Sequence, residues 1–423
     1  MDARQRTRKC VRTRTGERSP LPRGAKQICL PMSRESYERL WNDATAMRRF
    51  IEELAAASPE LLPRGIEQGF HLTGRLPESK KLPGVRLRQL RMADGRTFSL
   101  RPSFVLPYMA GTAEEVAYPL LLLSCGLPTW VVTQGFGHSD MYWHRLLERL
   151  GRNSLVGTTV RDPKRLPKDL AADEHHADWS GEKGYVALTA GSGCLLGLAL
   201  TEAADDEHLQ DAYSTFHEEA RDVDPTYTPA TVNTDGWKAT QKAWRTLFSG
   251  IAVILCFLHG FLKVRDRSRK DHDLHRRIWE VYWAATSRQF TKRMQAFHDW
   301  WQSKSWPTPV REALGKLWNH RQEYAASYQH PGCHRTSNLV DRLTNRLYRV
   351  LYAGRGLHGH QASSERRLRG WALLLNFRPY APRSGPPRAY QSPAHALNRK
   401  KYHDHWLHNL QVSASMAGYR QST

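Results

Sequence analysis

Cysteine is scarce and scattered. The six residues, Cys10, Cys29, Cys125, Cys194, Cys256 and Cys333, form no regular framework. A disulfide-stapled secreted scaffold is therefore excluded, and reduced thiols in a cytoplasmic setting are expected. Long apolar runs are missing as well. Residues 116–132 are interrupted by two prolines and a glycine, and residues 251–262 are short and contain His259. Neither supplies the roughly 20 residues a spanning helix needs, so no membrane partner is expected. Residues 1–28 are basic but lack the apolar stretch of a secretory leader. No internal repeat of solenoid or propeller length is visible. Acidic residues are the last deficit: 41 Asp and Glu face 63 Lys and Arg, a formal charge of +22. Such an excess suits a polyanion, because each phosphate contact releases condensed counterions. Clustered arginines among 14 Trp and 16 Tyr favour nucleic acid over charge carried for solubility alone.

At 423 residues with 40% hydrophobic content, the chain is long enough for two or three cores. Residues 1–30 read as a basic, disordered arm. An N-terminal α+β region over 31–110 follows. Ser33 caps a helix whose apolar positions Tyr37, Leu40, Trp41, Met47, Phe50, Ile51 and Leu54 recur at helical spacing, ended by Pro59 and Pro63. VRLRQLRM and RTFSLRPSF then form a hairpin around Asp94-Gly95. Residues 111–165 read as helical. Thr112 and Glu115 have capping-box spacing, and Pro119 predicts a kink or restart. LPTWVVTQ, the glycine turn Gly135-Phe-Gly137 and MYWHRLLERLG suit a helix-turn-helix, with Tyr142, His144, Arg145 and Arg149 facing DNA; a structural helical bundle is the alternative. Residues 151–168 read as a basic linker. The catalytic region expected over 166–262 and 333–378 alternates strands and helices. Strands are predicted at 170–175, 185–190, 194–200, 230–235 and in GIAVILCF, with helices over 205–219 and GWKATQKAWRTLF. That order predicts an α/β fold with a mixed sheet. Residues 263–332 read as an all-helical insertion whose aromatics belong to its core. Residues 379–423 read as a Pro/Gly/Arg-rich tail with one last helix, and its histidines (His395, His403, His405, His408) as surface residues.

Three carboxylates are candidate ligands. Asp235 closes the strand ATVNTD before Gly236, at the carboxyl end where open α/β sheets bind; Asp is also favoured as a helix N-cap there. Asp173 lies in a predicted first strand, with Asp169, Glu174 and Asp178 as rivals. Asp341 lies on a helix that Thr336 or Ser337 can cap, with Val340, Leu343, Leu347, Val350 and Leu351 as its apolar stripe. Asn338, Asn345 and Tyr348 share the polar face of Asp341, and Arg342, Arg346 and Arg349 add a basic edge. Carboxylate oxygens are the ligands Mg²⁺ prefers. Two such ions about 4 Å apart would serve an in-line displacement at phosphorus without a covalent nucleophile.

AADEHHADWSGEKGYVALTAGSGCLLGLAL, VNTDGWKATQKAWRTLFSGIAVILCFLH and TSNLVDRLTNRLYRVLYAGRGLHGH resemble the three catalytic blocks of bacterial insertion-sequence transposases of the DDE type, mutator-like, over roughly residues 165–375. The marks are Asp-Gly-Trp after the fourth strand, Cys-x-x-His after the fifth, and a helical insertion before the last acid. The resemblance implies a ribonuclease-H-like catalytic domain. It further implies Asp173, Asp235 and Asp341 as Mg²⁺ ligands, with Mn²⁺ able to substitute. The third acid of the family is usually Glu, so Asp341 is a departure, one methylene shorter, and Glu365 is its rival. Cys256 and His259 would sit beside the site. Together with Cys333 and His334 they offer four zinc-type ligands, but adjacent Cys-His is awkward geometry and zinc is not expected. The activity implied is cleavage at terminal inverted repeats of double-stranded DNA and transfer of the 3′-hydroxyl to target DNA, by a homodimer or larger assembly near the nucleoid. The alternatives are a transposase-derived DNA binder without catalysis, and a nuclease of the same fold that joins no strands.

Overall fold

The computed structural model describes residues 25–382 and 389–419. The expected basic arm thus lies outside the described residues up to residue 24. The N-terminal unit comprises β1 (Gln27–Leu30), α1 (Arg34–Asn42), α2 (Ala44–Ala57), β2 (Phe70–Arg75), β3 (Arg88–Met92) and β4 (Thr97–Pro102). Ser33 caps α1 as expected. The single helix read from it splits in two, because the Asp43 carboxylate accepts hydrogen bonds from the amides of Thr45 and Ala46 at 2.9 and 3.0 Å and starts a new helix. The sheet runs β1-β4-β3-β2, with the expected β3–β4 hairpin. Its buried side packs Ile28, Leu90, Phe98 and Leu100 against Met47 and Ile51 of α2.

Four helices follow: α3 (Ala113–Ser124), α4 (Thr129–Phe136), α5 (Asp140–Leu150) and α6 (Leu155–Thr159). Both halves of the Thr112–Glu115 capping box form, and α3 continues through Pro119 without a restart. The supposed linker 151–168 is in fact core. Every residue of α6 is buried, and the amides of Leu155 and Val156 donate to Glu219. Its flanking basic residues disguised a short run of small and apolar side chains.

The next strands and helices build an α/β unit: β5 (Asp169–Trp179), β6 (Glu182–Gly191), β7 (Cys194–Thr201), α7 (Asp206–Val223), β8 (Thr231–Thr234), α8 (Lys238–Leu247) and β9 (Ala252–Leu255). The sheet order is β7-β6-β5-β8-β9. The β5–β6 and β6–β7 pairs are antiparallel, and β8 and β9 join β5 in parallel. The hairpin β5–β6 is longer than the sequence suggested. The helical insertion holds α9 (Phe257–Arg265), α10 (His272–Tyr282), α11 (Ser287–Gln302), α12 (Thr308–Asn319) and α13 (Arg321–Ala326) around its own core, including Phe261, Phe290, Met294 and Trp301.

The chain then returns to the sheet as α14 (Asn338–Ala353) and α15 (Gln361–Phe377), and ends in α16 (Pro393–Asn398) and α17 (Trp406–Ser413). Val340, Leu343 and Leu347 of α14, together with α15, which is buried continuously from Leu368 to Phe377, share a core with one face of the sheet, while α7 and α8 cover the other face. The C-terminal segment is no simple tail. Val412 and Met416 complete the N-terminal core, and the amide of Cys29 donates to Ser415 Oγ at 3.1 Å. Its histidines are not surface groups either. His408 is buried, its ring nitrogens 3.1 Å from Ser103 Oγ and 2.9 Å from Glu114, and His395, His403 and His405 are half-buried. Among the described residues, no helix is long and apolar enough to cross a membrane.

Candidate active site

Strand alternation decides which acids of β5 can meet the others. Leu170 and Ala172 point into the core under α7 and α8, whereas Ala171 and Ala177 point into the core under α14 and α15. Asp173 therefore falls on the α14 side and Glu174 on the opposite side. Glu174 accepts hydrogen bonds there from Tyr213 Oη at 2.5 Å and Thr240 Oγ1 at 2.8 Å. Ala171 pairs with Asn233 in the parallel β5–β8 ladder. Carrying that register two residues further sets Asp173 level with Asp235. Asp235 lies just past β8, its Oδ1 accepting the Trp237 amide at 3.0 Å. The following Gly236 has φ +99°, and a Cβ there would lie 2.7 Å from Leu255. Only glycine allows that close turn.

Asp341 lies one turn into α14. Ser337, read from sequence as a possible cap, makes no side-chain cap bond. Its Oγ donates to Asp341 Oδ2 at 2.7 Å instead, accepts from Cys256 Sγ at 3.2 Å, and lies 3.4 Å from His259 Nδ1. Sequence reasoning missed this role. The contact that reveals it spans 81 positions, and the only local signal was the Cys-x-x-His block itself.

The electrostatics match this clustering. Burial, then the charges of Glu174, Asp235 and Asp341, push the Asp173 carboxyl up to about 7. Burial also lifts Glu174 to about 7, against the hydrogen bonds from Tyr213 and Thr240. His259 moves in the complementary sense. Its hydrogen bond with Cys256 raises the imidazole to about 9 against the effect of burial, with Asp341 and Asp235 adding to it. The site thus places an imidazolium beside carboxylates that repel one another.

The remaining candidates separate clearly. Glu365, on α15, accepts the Leu200 amide of β7 at 3.0 Å, on the outermost strand rather than beside β8. Asn338, Arg342, Asn345, Arg346 and Arg349 are exposed along α14. The helix-turn-helix outline exists in α4 and α5, but α5 lies against α15. Gly151 and Gly370 bring the two backbones so close that a Cβ on Gly370 would lie 2.1 Å from the Leu147 carbonyl oxygen. Tyr142 donates to the Ala110 carbonyl, His144 is half-buried near Arg367, and Arg149 lies over the Tyr108 ring. Of these four, only Arg145 is exposed. A helix clamped in this way is chiefly a packing element, and sequence alone cannot tell its buried face from a DNA-facing one. Cys333 donates to the Ser327 carbonyl and His334 faces Asp169, whereas Cys256 is bonded to Ser337.

No family model matches this sequence, and no curated protein does.

Beside Asp235, α8, α9 and α12 enclose a cavity of about 210 Å³ bordered by Lys238, Lys263, Arg267 and Lys316. Among the described residues, no three His, Cys, Asp or Glu side chains are grouped closely enough to ligate one ion as they stand. The donor chemistry nevertheless suits a hard divalent cation. The carboxylates offer oxygen only, and their mutual repulsion is what a cation would relieve.

Proposed function

We propose that this protein is a DNA transposase of the DDD type, cleaving DNA strands and joining the freed 3′-hydroxyl to target DNA with Mg²⁺ or Mn²⁺. The observation that carries the reading is the convergence of Asp173, Asp235 and Asp341, from β5, the end of β8 and α14, close enough that the charges of Asp235 and Asp341 add to burial and Glu174 in raising the Asp173 carboxyl. The strand order β7-β6-β5-β8-β9, three antiparallel strands extended by two parallel ones, supports a ribonuclease-H-like assignment.

In this reading the three aspartates would hold the divalent cation, which supplies a nucleophile at neutral pH and charge stabilisation at phosphorus. Ser337 orients Asp341 through its hydroxyl hydrogen bond. His259, held protonated, balances the carboxylates. Arg342, Arg346 and Arg349 on one side and Lys238, Lys263 and Lys316 on the other would hold backbone phosphates. Pairing of two DNA ends implies a homo-oligomer.

The test is strand cleavage and joining on DNA carrying the element's terminal repeats, with either metal. Asp173→Asn, Asp235→Asn and Asp341→Asn should each abolish products while DNA binding persists. Glu365→Gln should remain active. Cleavage without joining would reassign the protein as a nuclease. Binding without cleavage by the wild type would overturn the enzymatic reading.

A further inference from the structure

The solvent face of α14 carries two large aromatic side chains that the fold does not bury. Tyr348 is 55% exposed and Tyr352 is 77% exposed, and their rings stack on each other at 6.2 Å with 29° between planes. Two ring faces left in water forgo the gain that burial would give, so packing does not account for them. The Tyr348 ring also meets His175 edge-on at 6.1 Å. His175 follows Asp173 by two positions on β5, and Tyr348 lies about two turns beyond Asp341 on α14. The aromatic pair is therefore anchored to two of the elements that supply the acidic cluster. Arg342, Arg346 and Arg349 are exposed on the same helix, along the edge beside the two rings.

This arrangement selects one kind of ligand. The arginines call for phosphates. Flat aromatic faces call for other flat faces, and a paired duplex presents base edges because its base faces are stacked inside. An unpaired strand offers both phosphates and free base faces. We propose that α14 is a stacking platform for unpaired bases, so that the protein engages DNA whose strands are already separated beside the reacting phosphate. The inference rests on the DNA-cleaving reading and adds the form of the substrate to it.

The test compares a blunt duplex with the same duplex carrying a single-stranded tail that contains a fluorescent adenine analogue, using the full chain. The tailed DNA should bind roughly tenfold more tightly and its fluorescence should be quenched on binding. Tyr348→Leu and Tyr352→Leu should lose the preference and the quenching while binding the blunt duplex unchanged. Tyr348→Phe and Tyr352→Phe, which keep the ring, should retain both. Both positions of substitution are at exposed side chains, and an unchanged thermal midpoint checks that the four variants fold. Equal affinity for the two DNAs, or Leu variants that keep the preference, would overturn the platform while leaving DNA cleavage intact. Failure to bind either DNA would overturn the DNA reading itself, and the platform with it. Capture of the tyrosine face by a second copy of the chain, seen as dimerisation lost in the Leu variants without any effect on tailed DNA, would also overturn it.

Discussion

Among single side chains, His144 shows how a residue chosen for contact with DNA can instead serve the core. Burial, and then the nearby Arg367 charge, lower its imidazole from 6.5 to about 4. Between those values the unfolded chain holds a proton that the folded chain does not. Its contribution to stability is therefore complete above pH 6.5 and is lost as the pH falls towards 4. Chemical denaturation across that window should give a shallower acid loss for His144→Gln than for the wild type, and identical slopes would refute the assignment. The same scale shows what the sequence made legible at the site. Asp235 announced itself by closing a strand before glycine, and Asp341 by sharing a polar helix face. The choice of Asp173 over Glu174 rested on motif order, and its physical basis is the strand alternation that sends Glu174 to Tyr213 and Thr240. The role of Ser337 was out of reach, because a hydroxyl can cap a helix or bond four residues ahead and only the fold decides which.

Among the elements, α5 and α15 make an unusually close backbone contact. Their backbones approach at Gly151 and Gly370, and a methyl group at Gly370 would overlap the Leu147 carbonyl and press on the Gly151 amide nitrogen. Neither obstacle is a flexible side-chain end, so the helices themselves must shift. Gly370→Ala should cost about 1–3 kcal/mol or more in a denaturant titration. A loss within a few tenths would show that the contact is looser than this. The pair is reinforced by the buried ion pair of Arg369 on α15 with Glu219 on α7, which also gathers the start of α6. Here lies the main limit of periodicity as a guide. It found the helices, but α6 is too short for a period to register, and the amphipathic α5 looks the same whether its partner is a helix or a groove.

At the scale of the whole molecule, the C-terminal segment joins the two sheets. Ser415 Oγ accepts from Cys29 on β1 and donates to the Leu61 carbonyl, while the Ala417 carbonyl accepts the Ser154 amide at the entrance to α6. Removing residues 393–423 should therefore weaken a region distant in sequence. The Cys29 amide should exchange with solvent markedly faster, and the thermal midpoint should fall. Unchanged exchange in β1 would show that the N-terminal sheet stands without the segment. Composition concealed this arrangement, since the proline- and arginine-rich stretch before α16 looks like the beginning of a disordered end.

Ser337 and Cys256 have one more consequence. They mark the two ends of the helical insertion, and their sulfur and oxygen atoms touch across 81 positions. The insertion is thus a cassette closed by a clasp, and the position of Asp341 is set at the clasp rather than by whatever lies between. Because the entropy of closing a loop grows only with the logarithm of its length, doubling the cassette would add about 0.6 kcal/mol. Such a fold can lengthen, trim or replace its insertion while its acidic cluster keeps the same shape.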